Sequence, residues 1–434
     1  MAENQTKESK IEKITLNIVP QDKRKSWLDV SLIQAGVYIC VPSLLLGGLL
    51  ISSMSMTHAI IAGMLGYLIS VVITAAIGII GEDIGVPTCV VTMSSFGKQG
   101  ARIIISLIFA IAMIGWFSVQ NAVCGSAFST LMNQVGINLP AGVSIAIWGI
   151  IMLLTAVYGI DGLKILNQIS VPALAVIITV GCAMAVNKYG TDALNTSGTE
   201  SMTVLGGVVL TASFLSVGMT CASDFTRYQK TRGGVWTSSF LGIMVPGGIL
   251  LVMGAVLTKL TGQNDLSIVL ADIGLPILGA LILILATWTT NTTNAYSAGI
   301  DFVMLFKLKD DKRAMTTMVA GVIGTILAVA GFSNYFNNFV NMLGTFFMPV
   351  AGVMLVDYWI IRKGDPNKWA YCDGFSWSGI IAWVAGGLIT YFMPTWGLFL
   401  GFFASMAIYW ILKLVMPGSE TKTVADSINE PGME

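Results

Sequence analysis

Residues 277–294 read ILGALILILATWTTNTTN, an apolar run that passes directly into a cluster of hydroxyl and amide side chains. The run shows no alternation of apolar and polar residues, which favours a helix over a membrane strand. A helix also satisfies its own backbone hydrogen bonds inside a bilayer. Because buried polar side chains need partners, this stretch predicts a membrane helix with polar chemistry in its interior.

The whole chain has the composition of a membrane protein. Its 434 residues are 55% hydrophobic and 11% charged, with a mean hydropathy of +0.79, whereas soluble domains carry roughly 25% charged residues. The formal net charge is zero and gives no indication of nucleic-acid binding. The 6 cysteines show no CxxC spacing, so we expect neither a disulfide framework nor a metal–thiolate site.

Apolar runs of similar length recur along the sequence. A helix needs about 20 apolar residues to cross the hydrocarbon core of a bilayer. The predicted spans are 28–52, 58–81, 102–133, 142–160, 168–187, 203–222, 235–258, 269–300, 315–332, 336–358, 377–394 and 397–416. We therefore predict an all-α integral membrane protein of about twelve transmembrane helices.

The basic residues indicate how these spans are oriented. With the N-terminus in the cytoplasm, Lys188 and Lys259 are the two of the 23 Lys and Arg residues that fall on the outer side. Cytoplasmic loops of membrane proteins carry just such an excess of Lys and Arg. We expect a multi-pass protein of the cell (inner) membrane with both termini in the cytoplasm.

Two predicted spans contain helix-breaking residues in their interiors. The first holds Gly36, Pro42 and the pair Gly47–Gly48, and the sixth holds Gly206–Gly207 and Gly218. A proline inside a helix removes one backbone donor and crowds the preceding turn. Carriers built from two inverted repeats place their discontinuous helices at corresponding positions, here the first and sixth spans. The alternative interpretation is that these glycines permit close helix packing.

The third span pairs an aromatic side chain with an amide. Residues 115–120 read GWFSVQ, which places Trp116 and Gln120 four residues apart on one helix face. An indole stacks on a planar ring, and a glutamine offers both a donor and an acceptor to the ring edge. The pair suits a flat heterocycle, although a buried tryptophan often serves packing alone.

The sixth span carries a second aromatic residue between serines. Residues 213–218 read SFLSVG, so Ser213, Phe214 and Ser216 lie close to the expected break. Unwound backbone amides and the Ser216 hydroxyl could bind a ring edge while Phe214 covers its face. Serines that hydrogen-bond to their own helix are the alternative.

The eighth span offers oxygen ligands for a cation. Thr289 and Thr290 lie three and four residues after Ala286, so both hydroxyls can approach the Ala286 carbonyl. Oxygen ligands of this kind suit a hard cation such as Na⁺, and carbonyls freed by a break in the first span could complete the shell. Interhelical hydrogen bonding by threonine, worth about 1 kcal/mol, is the competing explanation.

Ionisable groups are scarce inside the predicted spans. Asp29, Asp224, Asp272 and Asp301 fall near span ends, which argues against a proton-carrying carboxylate at mid-membrane. For Asp224 we expect an ion pair with Arg227 or a helix cap. The GxxxxGK[ST], HExxH and GxSxG motifs are absent, so we expect neither an ATP-driven pump nor an enzyme.

Several of these segments together resemble one family of carriers. GWF at 115–117, SFLS at 213–216, DFTRY at 224–228 and WTTN at 288–291 are similar to the nucleobase:cation symporter-1 family, the purine and cytosine permeases. The resemblance covers most of the chain. It implies a fold of two inverted five-helix repeats with broken helices plus two C-terminal helices, working by alternating access.

The resemblance also implies roles for single residues. Trp116 and Phe214 would sandwich the heterocycle, and its edge would be read by Gln120, Ser216 and Asn291 or Asn294. Sodium would bind the carbonyls of Gly36, Ile39 and Ala286 and the hydroxyls of Thr289 and Thr290. Met113 stands where the cytosine permease pattern has a glutamine, and a thioether cannot donate to a ring edge. The spacing of Gln120 after the tryptophan is similar to that of the hydantoin carriers.

These patterns predict the organisation of the chain and its partners. We expect a cytoplasmic tail at 1–27, a ten-helix transport core at 28–358, a cytoplasmic loop at 359–376, two further helices at 377–416 and a cytoplasmic tail at 417–434. The expected partners are a small heterocyclic solute, a coupling cation and the lipid bilayer. Neither a covalent cofactor nor an obligate protein partner is indicated.

The predicted function is secondary active transport. We expect Na⁺ symport of a nucleobase or related heterocycle, such as cytosine, a purine, or an allantoin- or hydantoin-like solute. The alternative is a proton-coupled carrier of a different heterocycle, such as a vitamin-precursor pyrimidine. A channel would show flux without saturation, and a membrane-embedded enzyme would need clustered ionisable groups that the sequence does not show.

Overall fold

The computed structural model describes residues 16–195, 201–262, 276–393 and 395–416, together with residues 420, 422, 423 and 426. Across these described ranges the regular secondary structure is helical, and the β contacts are two isolated bridges. The all-α prediction is therefore confirmed. The beginning of the predicted eighth span, including Asp272, lies outside the described residues.

Twelve main helices, α1 to α12, follow the order of the predicted spans. The first has two halves, α1a (Trp27–Tyr38) and α1b (Val41–Ser53). The others are α2 (Met56–Ile84), α3 (Met93–Gln134), α4 (Ala141–Val157), α5 (Gly159–Tyr189), α6 (Val204–Thr220, continued by Ser223–Thr226), α7 (Arg232–Thr261), α8 (Pro276–Phe306), α9 (Arg313–Val329), α10 (Phe336–Leu355, continued by Val356–Ile361), α11 (Trp377–Phe392) and α12 (Gly397–Val415). Short turns join them at Gln21–Lys23, Thr88–Val91, Asp192–Asn195, Asp310–Lys312, Phe332–Tyr335 and Pro366–Lys368.

Most of these helices suit a bilayer by length and composition. Within the described residues, 7 helices are long and apolar enough to cross a membrane, and the bent pair α1a and α1b makes an eighth. The apolar helices α4 and α11 are shorter, with 17 and 16 residues. The helices α5 and α8 have 31 residues each and lie in the same bundle.

Helix contacts repeat after five helices. The half-helix α1b packs on α7, and the corresponding helix of the second repeat, α6, packs on α2. In the same way α3 packs on α4 and α9, and its counterpart α8 packs on α9 and α4. Likewise α1a packs on α5 as α6 packs on α10, while α11 and α12 pack on each other and on α10. Because each repeat holds an odd number of spans, the second begins on the opposite membrane face, as in an inverted-repeat carrier.

The predicted break in the first helix is present. The axes of α1a and α1b differ by 57° across Ile39 and Cys40. Pro42 lies in the first turn of α1b, where a missing N–H leaves no hydrogen bond unmade. The carbonyl groups in the last turn of α1a likewise have no helical partners. The break therefore leaves carbonyl groups in the middle of the bundle that side chains can bind, as the Ser43 hydroxyl binds that of Tyr38 at 2.8 Å.

The pair Gly47–Gly48, expected to interrupt the first helix, lies inside α1b instead. A Cβ built on Gly47 would lie 2.0 Å from the carbonyl oxygen of Leu251 in α7, and one on Gly254 would lie 2.0 Å from that of Leu44. These glycines therefore let two helix backbones approach closely. The packing interpretation holds here, and the prediction of a break at this pair was wrong.

The sixth helix is interrupted close to Gly218, one of the two expected places, and not at Gly206–Gly207. Gly206 and Gly207 belong to the first turn of α6, where the Thr203 hydroxyl accepts a hydrogen bond from Gly206 N at 3.1 Å. The interruption follows Thr220 instead, and its bend stays below 40°. A side-chain cap stabilises the first turn, so the glycine pair does not break the helix.

The segment after this interruption ties three parts of the bundle together. Asp224 accepts a hydrogen bond from the backbone N–H of Thr88 at 2.9 Å, so it caps the short helix Thr88–Val91. The Arg227 guanidinium donates to the hydroxyl of Tyr296 in α8 at 2.9 Å and to that of Tyr228 at 3.1 Å. The expected cap is therefore present, although it belongs to a neighbouring helix.

Candidate functional site

A buried cavity of about 80 Å³ lies beside the α1 break. Its walls come from α1, α2, α3, α6, α7 and α8. At roughly 10–15 Å³ for each water, this volume holds about six water molecules. The space is comparable with that taken by one small heterocyclic ring.

Four of the seven residues predicted to bind substrate line this cavity. They are Trp116, Gln120, Phe214 and Asn294. Met113, one turn before Trp116, lines it as well. The prediction that α3 turns an aromatic ring and an amide toward one space therefore agrees with the geometry.

The serines predicted on α6 do not reach the cavity. The Ser216 hydroxyl is fully buried and donates to the carbonyl oxygen of Ser213 at 2.8 Å. The Ser213 hydroxyl lies against α10, 3.0 Å from where a Cβ on Gly344 would be. Ser216 thus bonds to its own helix, and neither hydroxyl faces the space that Trp116 borders.

Asn291 faces away from the cavity but orients a residue that lines it. Its Nδ2 donates to the carbonyl oxygen of Phe117 at 3.0 Å and contacts the sulfur of Met152 at 3.3 Å. Its Oδ1 accepts a hydrogen bond from Asn294 Nδ2 at 3.2 Å. Of the two asparagines predicted to read a ring edge, Asn294 is the one on the cavity wall.

The two predicted stacking residues touch each other in this structure. The ring centroids of Trp116 and Phe214 are 5.4 Å apart at an interplanar angle of 83°. Phe339 and Phe336 also contact the indole, with centroids at 5.5 and 6.0 Å. An edge-on pair leaves no slot for a flat ring, so a sandwich would require Phe214 to rotate away from Trp116.

Gln120 is the most informative polar group on the wall. It is 1% exposed, and neither its Oε1 nor its Nε2 has a hydrogen bond of normal geometry, with the weakly bonding Cys40 thiol as a neighbour. A buried amide without partners is unfavourable by about 1–3 kcal/mol. An amide in this state beside a ring-sized cavity is poised for a ligand that both donates and accepts.

Four of the five predicted cation ligands, Gly36, Ala286, Thr289 and Thr290, meet at the break. The Thr290 hydroxyl oxygen lies 3.1, 3.2 and 3.0 Å from the carbonyl oxygens of Gly36, Val37 and Ala286. The Thr289 hydroxyl lies 3.0 Å from the Ala286 carbonyl, and the fifth predicted ligand, Ile39, is the C-cap residue directly after α1a. The sequence analysis missed Val37, which shares the last turn of α1a with Gly36.

These oxygens outnumber the protons available to them. Each threonine hydroxyl carries one proton, and carbonyl oxygens carry none. The five oxygens of Gly36, Val37, Ala286, Thr289 and Thr290 are therefore linked by contacts of 3.0–3.2 Å with two hydroxyl protons among them. A neutral set of hard oxygen donors with excess lone pairs fits a small hard cation.

A second cavity lies between α1b, α6 and α10, on the opposite side of Phe214. It has a volume of about 310 Å³, and its walls include Pro42, Met202 and Phe336. Phe214 lines both this second cavity and the central one. The phenyl ring is thus a partition between two spaces.

An inverted repeat with a broken helix, a ring-sized cavity and an oxygen cluster defines a membrane transporter of the broken-helix class. A sequence model described as "Permease for cytosine/purines, uracil, thiamine, allantoin" matches residues 18–412. The chain therefore belongs to this permease family, the nucleobase:cation symporter-1 family, whose members are transporters rather than enzymes.

Individual relatives support this assignment. The chain is 28% identical to the cytosine permease of Escherichia coli (strain K12) over 350 residues, which are 80% of each protein. It is 24% identical to the hydantoin permease of Microbacterium maritypicum, covering 92% of this chain and 86% of that one. A nucleobase-cation-symport-1 family transporter in a closed conformation with bromovinylhydantoin bound superposes with a TM-score of 0.84 at 19% identity, over 98% of this chain and 100% of that chain.

Proposed function

We propose that this permease is a Na⁺-coupled symporter of a small, flat, uncharged heterocycle. The observation that carries the proposal is the position of Thr290, which lines the central cavity and also belongs to the oxygen cluster. A cation held there would lie next to the solute. Binding of either one would then influence the other.

The chemistry of the cavity favours a heterocycle with an amide-like edge. Gln120 offers one donor and one acceptor without partners, and Asn294 adds a second amide. Trp116 supplies an aromatic face, and the described residues that line the wall are all uncharged. Cytosine, purine, hydantoin and allantoin all carry such an edge. Met113 offers no donor, which favours the hydantoin-like solutes over cytosine.

The oxygen cluster would hold the coupling ion. The carbonyls of Gly36, Ile39 and Ala286 with the hydroxyls of Thr289 and Thr290 form the proposed set, to which the geometry adds Val37. The cluster joins α1a to α8, so a bound cation would stabilise the arrangement in which the two helices meet. The bound ion supplies charge and holds these helices together, and no covalent chemistry is involved.

Alternating access would require a closure at each end of the cavity. Phe214 separates the central cavity from the second cavity. We call the second one the outer cavity, because the basic-residue pattern places α1b toward the outer side of the membrane. At the other end Phe225 forms the wall and stacks on Tyr296, with ring centroids 6.5 Å apart. We assign these movements to the ten-helix core 28–358. We also place the face at which α1a begins in the cytoplasm of a cell-membrane protein, on the strength of the basic-residue pattern.

A thermal-shift panel on the purified protein tests this function. Cytosine, uracil, adenine, hydantoin and allantoin are each added with NaCl or with an equal concentration of choline chloride. The proposal predicts that at least one heterocycle raises the melting temperature in sodium and much less in choline. Stabilisation by no member of the panel would contradict the proposed substrate class, and equal stabilisation in both salts would contradict sodium coupling.

One observation favours a second candidate, a proton-coupled carrier. The sequence places Asp301 near a span end, but α8 continues to Phe306. Asp301 is therefore inside the helix, 3% exposed, with Oδ2 lacking a partner. A buried carboxyl group without a counter-charge is less unfavourable when protonated. If protons drive transport, Asp301→Asn should abolish the response of uptake to a pH gradient, whereas a sodium symporter should keep its response to a sodium gradient.

A further inference from the structure

Basic side chains from three segments converge where α3 begins and α8 ends. Lys98 and Arg102 lie four residues apart in the first turns of α3. The Arg102 guanidinium donates to the carbonyl oxygen of Leu305 at 3.3 Å, two residues before Lys307. It also donates to Oε1 of Gln99 at 2.6 and 3.1 Å. These contacts hold the end of α8 and the adjoining Lys307 against the start of α3.

The third segment is the C-terminal stretch around Lys422. The backbone N–H of Lys98 donates to the carbonyl oxygen of Cys372 at 2.8 Å. The preceding residue, Tyr371, exchanges two backbone hydrogen bonds with Lys422, at 2.8 and 3.2 Å. The Lys422 side chain forms an ion pair with Asp373 at 2.9 Å. The C-terminal stretch therefore brings a further basic side chain to the start of α3.

We call the four basic groups, Lys98, Arg102, Lys307 and Lys422, the basic patch. The charges of the other three all act on Lys98, and the carboxylate of Asp373 opposes them. Lys307 is exposed, and the other three side chains are half-buried. Like charges that are held close together repel one another, so an anion bound among them would be stabilised. The patch is therefore suited to a negatively charged partner.

An exposed apolar surface adjoins the basic patch. Along α3, Ile103, Leu107 and Ile111 are exposed at intervals of four residues. Phe306, the last residue of α8, is exposed directly before Lys307. Because α3 is long and apolar enough to cross a membrane, its exposed apolar side chains suit contact with lipid chains. A change from apolar to basic side chains is typical of the level of the lipid headgroups.

We propose that the basic patch and the adjoining face of α3 bind an anionic phospholipid of the cytoplasmic leaflet. The headgroup phosphate lies among the four basic side chains, and an acyl chain lies along the exposed apolar residues of α3. A zwitterionic headgroup carries a positive charge of its own, so it gains less from the patch. The bound lipid joins the start of α3 to the end of α8 and so stabilises the folded protein, whichever solute is carried.

The test changes the charge of the patch in steps. Lys307→Gln removes one positive charge from an exposed position, and Lys307→Arg keeps that charge. The double variant Lys98→Gln/Lys307→Gln removes two charges. The matched control is Lys368→Gln. Lys368 is also an exposed basic residue, but it pairs with Asp365 at 3.4 Å and is not among the charges that act on Lys98.

The melting temperature of purified full-length protein in an uncharged detergent is measured during titration with dioleoyl phosphatidylglycerol, dioleoyl phosphatidylcholine or glycerol phosphate. The wild type should reach half-maximal stabilisation with at least about fivefold less phosphatidylglycerol than phosphatidylcholine, and glycerol phosphate should not stabilise it. Lys307→Gln should need about fivefold more phosphatidylglycerol than the wild type, and the double variant about 25-fold more, at roughly a fivefold change for each basic group. Lys307→Arg and Lys368→Gln should match the wild type.

Three results would overturn the lipid site. One is equal titration curves for the two phospholipids in the wild type. Another is a phosphatidylglycerol curve for Lys307→Gln that coincides with that of Lys368→Gln, because the lipid would then bind elsewhere. The third is stabilisation by glycerol phosphate equal to that by phosphatidylglycerol, which would show a site for free anions instead. None of these results bears on solute binding, so the proposed transport function would stand.

Discussion

The hydroxyl oxygen of Thr290 lies 3.1 Å from the carbonyl oxygen of Gly36, and this contact joins α8 to the interrupted helix α1. Gly36 lies in the last turn of α1a, whose carbonyls have no helical partners. Thr290 also lines the central cavity. A ligand on either side of this threonine therefore acts on the same junction between two helices.

Replacing Thr290 with valine should weaken sodium dependence. The change keeps the shape of the side chain and removes one oxygen ligand, so half-maximal stabilisation should need at least about tenfold more Na⁺. The measurement is the melting temperature of purified protein across a sodium titration. Thr287→Val is the control, because the Thr287 hydroxyl donates to the Leu283 carbonyl at 2.6 Å and lies off the cluster. An equal shift in both variants would refute the specific role of Thr290.

Gln120→Leu should weaken heterocycle binding by about 1–3 kcal/mol, roughly 5- to 150-fold, because the ligand edge loses its partner. Equilibrium binding in saturating sodium measures this effect. The control is Asn121→Leu. That neighbouring amide is also buried and unpartnered, but it lies against Gly149 of α4 and not on the cavity wall. Loss of binding in Asn121→Leu but not in Gln120→Leu would contradict the assignment of Gln120 to the binding cavity.

Phe214→Ala should connect the outer and central cavities. Cys40 and Cys221 line the central cavity and are buried in this structure. Without the phenyl partition, a membrane-impermeant maleimide added from outside should label them at least about tenfold faster, as expected when a closed state becomes open. If replacing both cysteines by serine removes the labelling, the labelled sites are Cys40 and Cys221. An unchanged labelling rate would mean that Phe214 is not the outer closure.

Gly47→Ala should destabilise the fold. The added methyl group would meet the backbone of α7 at Leu251, and overpacking of this kind typically costs about 1–3 kcal/mol. The melting temperature in detergent should fall. In Gly142→Ala the new Cβ would meet only Val329, at an ordinary 3.7 Å, so its melting temperature should stay close to that of the wild type. Equal stability of the two variants would contradict the tight contact between α1b and α7.

Much of the fold could be predicted because its signals are local. Long apolar runs predict the number and order of the helices, since each run alone must cover the bilayer. Pro42 predicts the break in α1 because its ring disturbs any helix that continues through it. The spacing of Ala286, Thr289 and Thr290 predicts the oxygen cluster, since residues three and four apart share one helix face.

The predictions that were wrong concern residues whose role depends on how a neighbouring helix packs. Gly206 and Gly47 resemble breakers in sequence, but a cap and a close helix contact explain them in the structure. Whether Asn291 or Asn294 faces the cavity depends on the rotation of α8 against α3 and α4. Thr74 of α2 also lines the central cavity. Its sequence carries no local signal of this, because a single hydroxyl in an apolar helix usually bonds to its own backbone.

Reciprocal binding of sodium and solute tests whether the two ligands are coupled through Thr290. The measurement is the dissociation constant of the heterocycle with and without saturating Na⁺, paired with that of Na⁺ with and without saturating heterocycle. Each ligand should tighten binding of the other by the same factor, within about 5- to 150-fold, because both act on the junction at Thr290. Dissociation constants that are unaffected by the other ligand would contradict it.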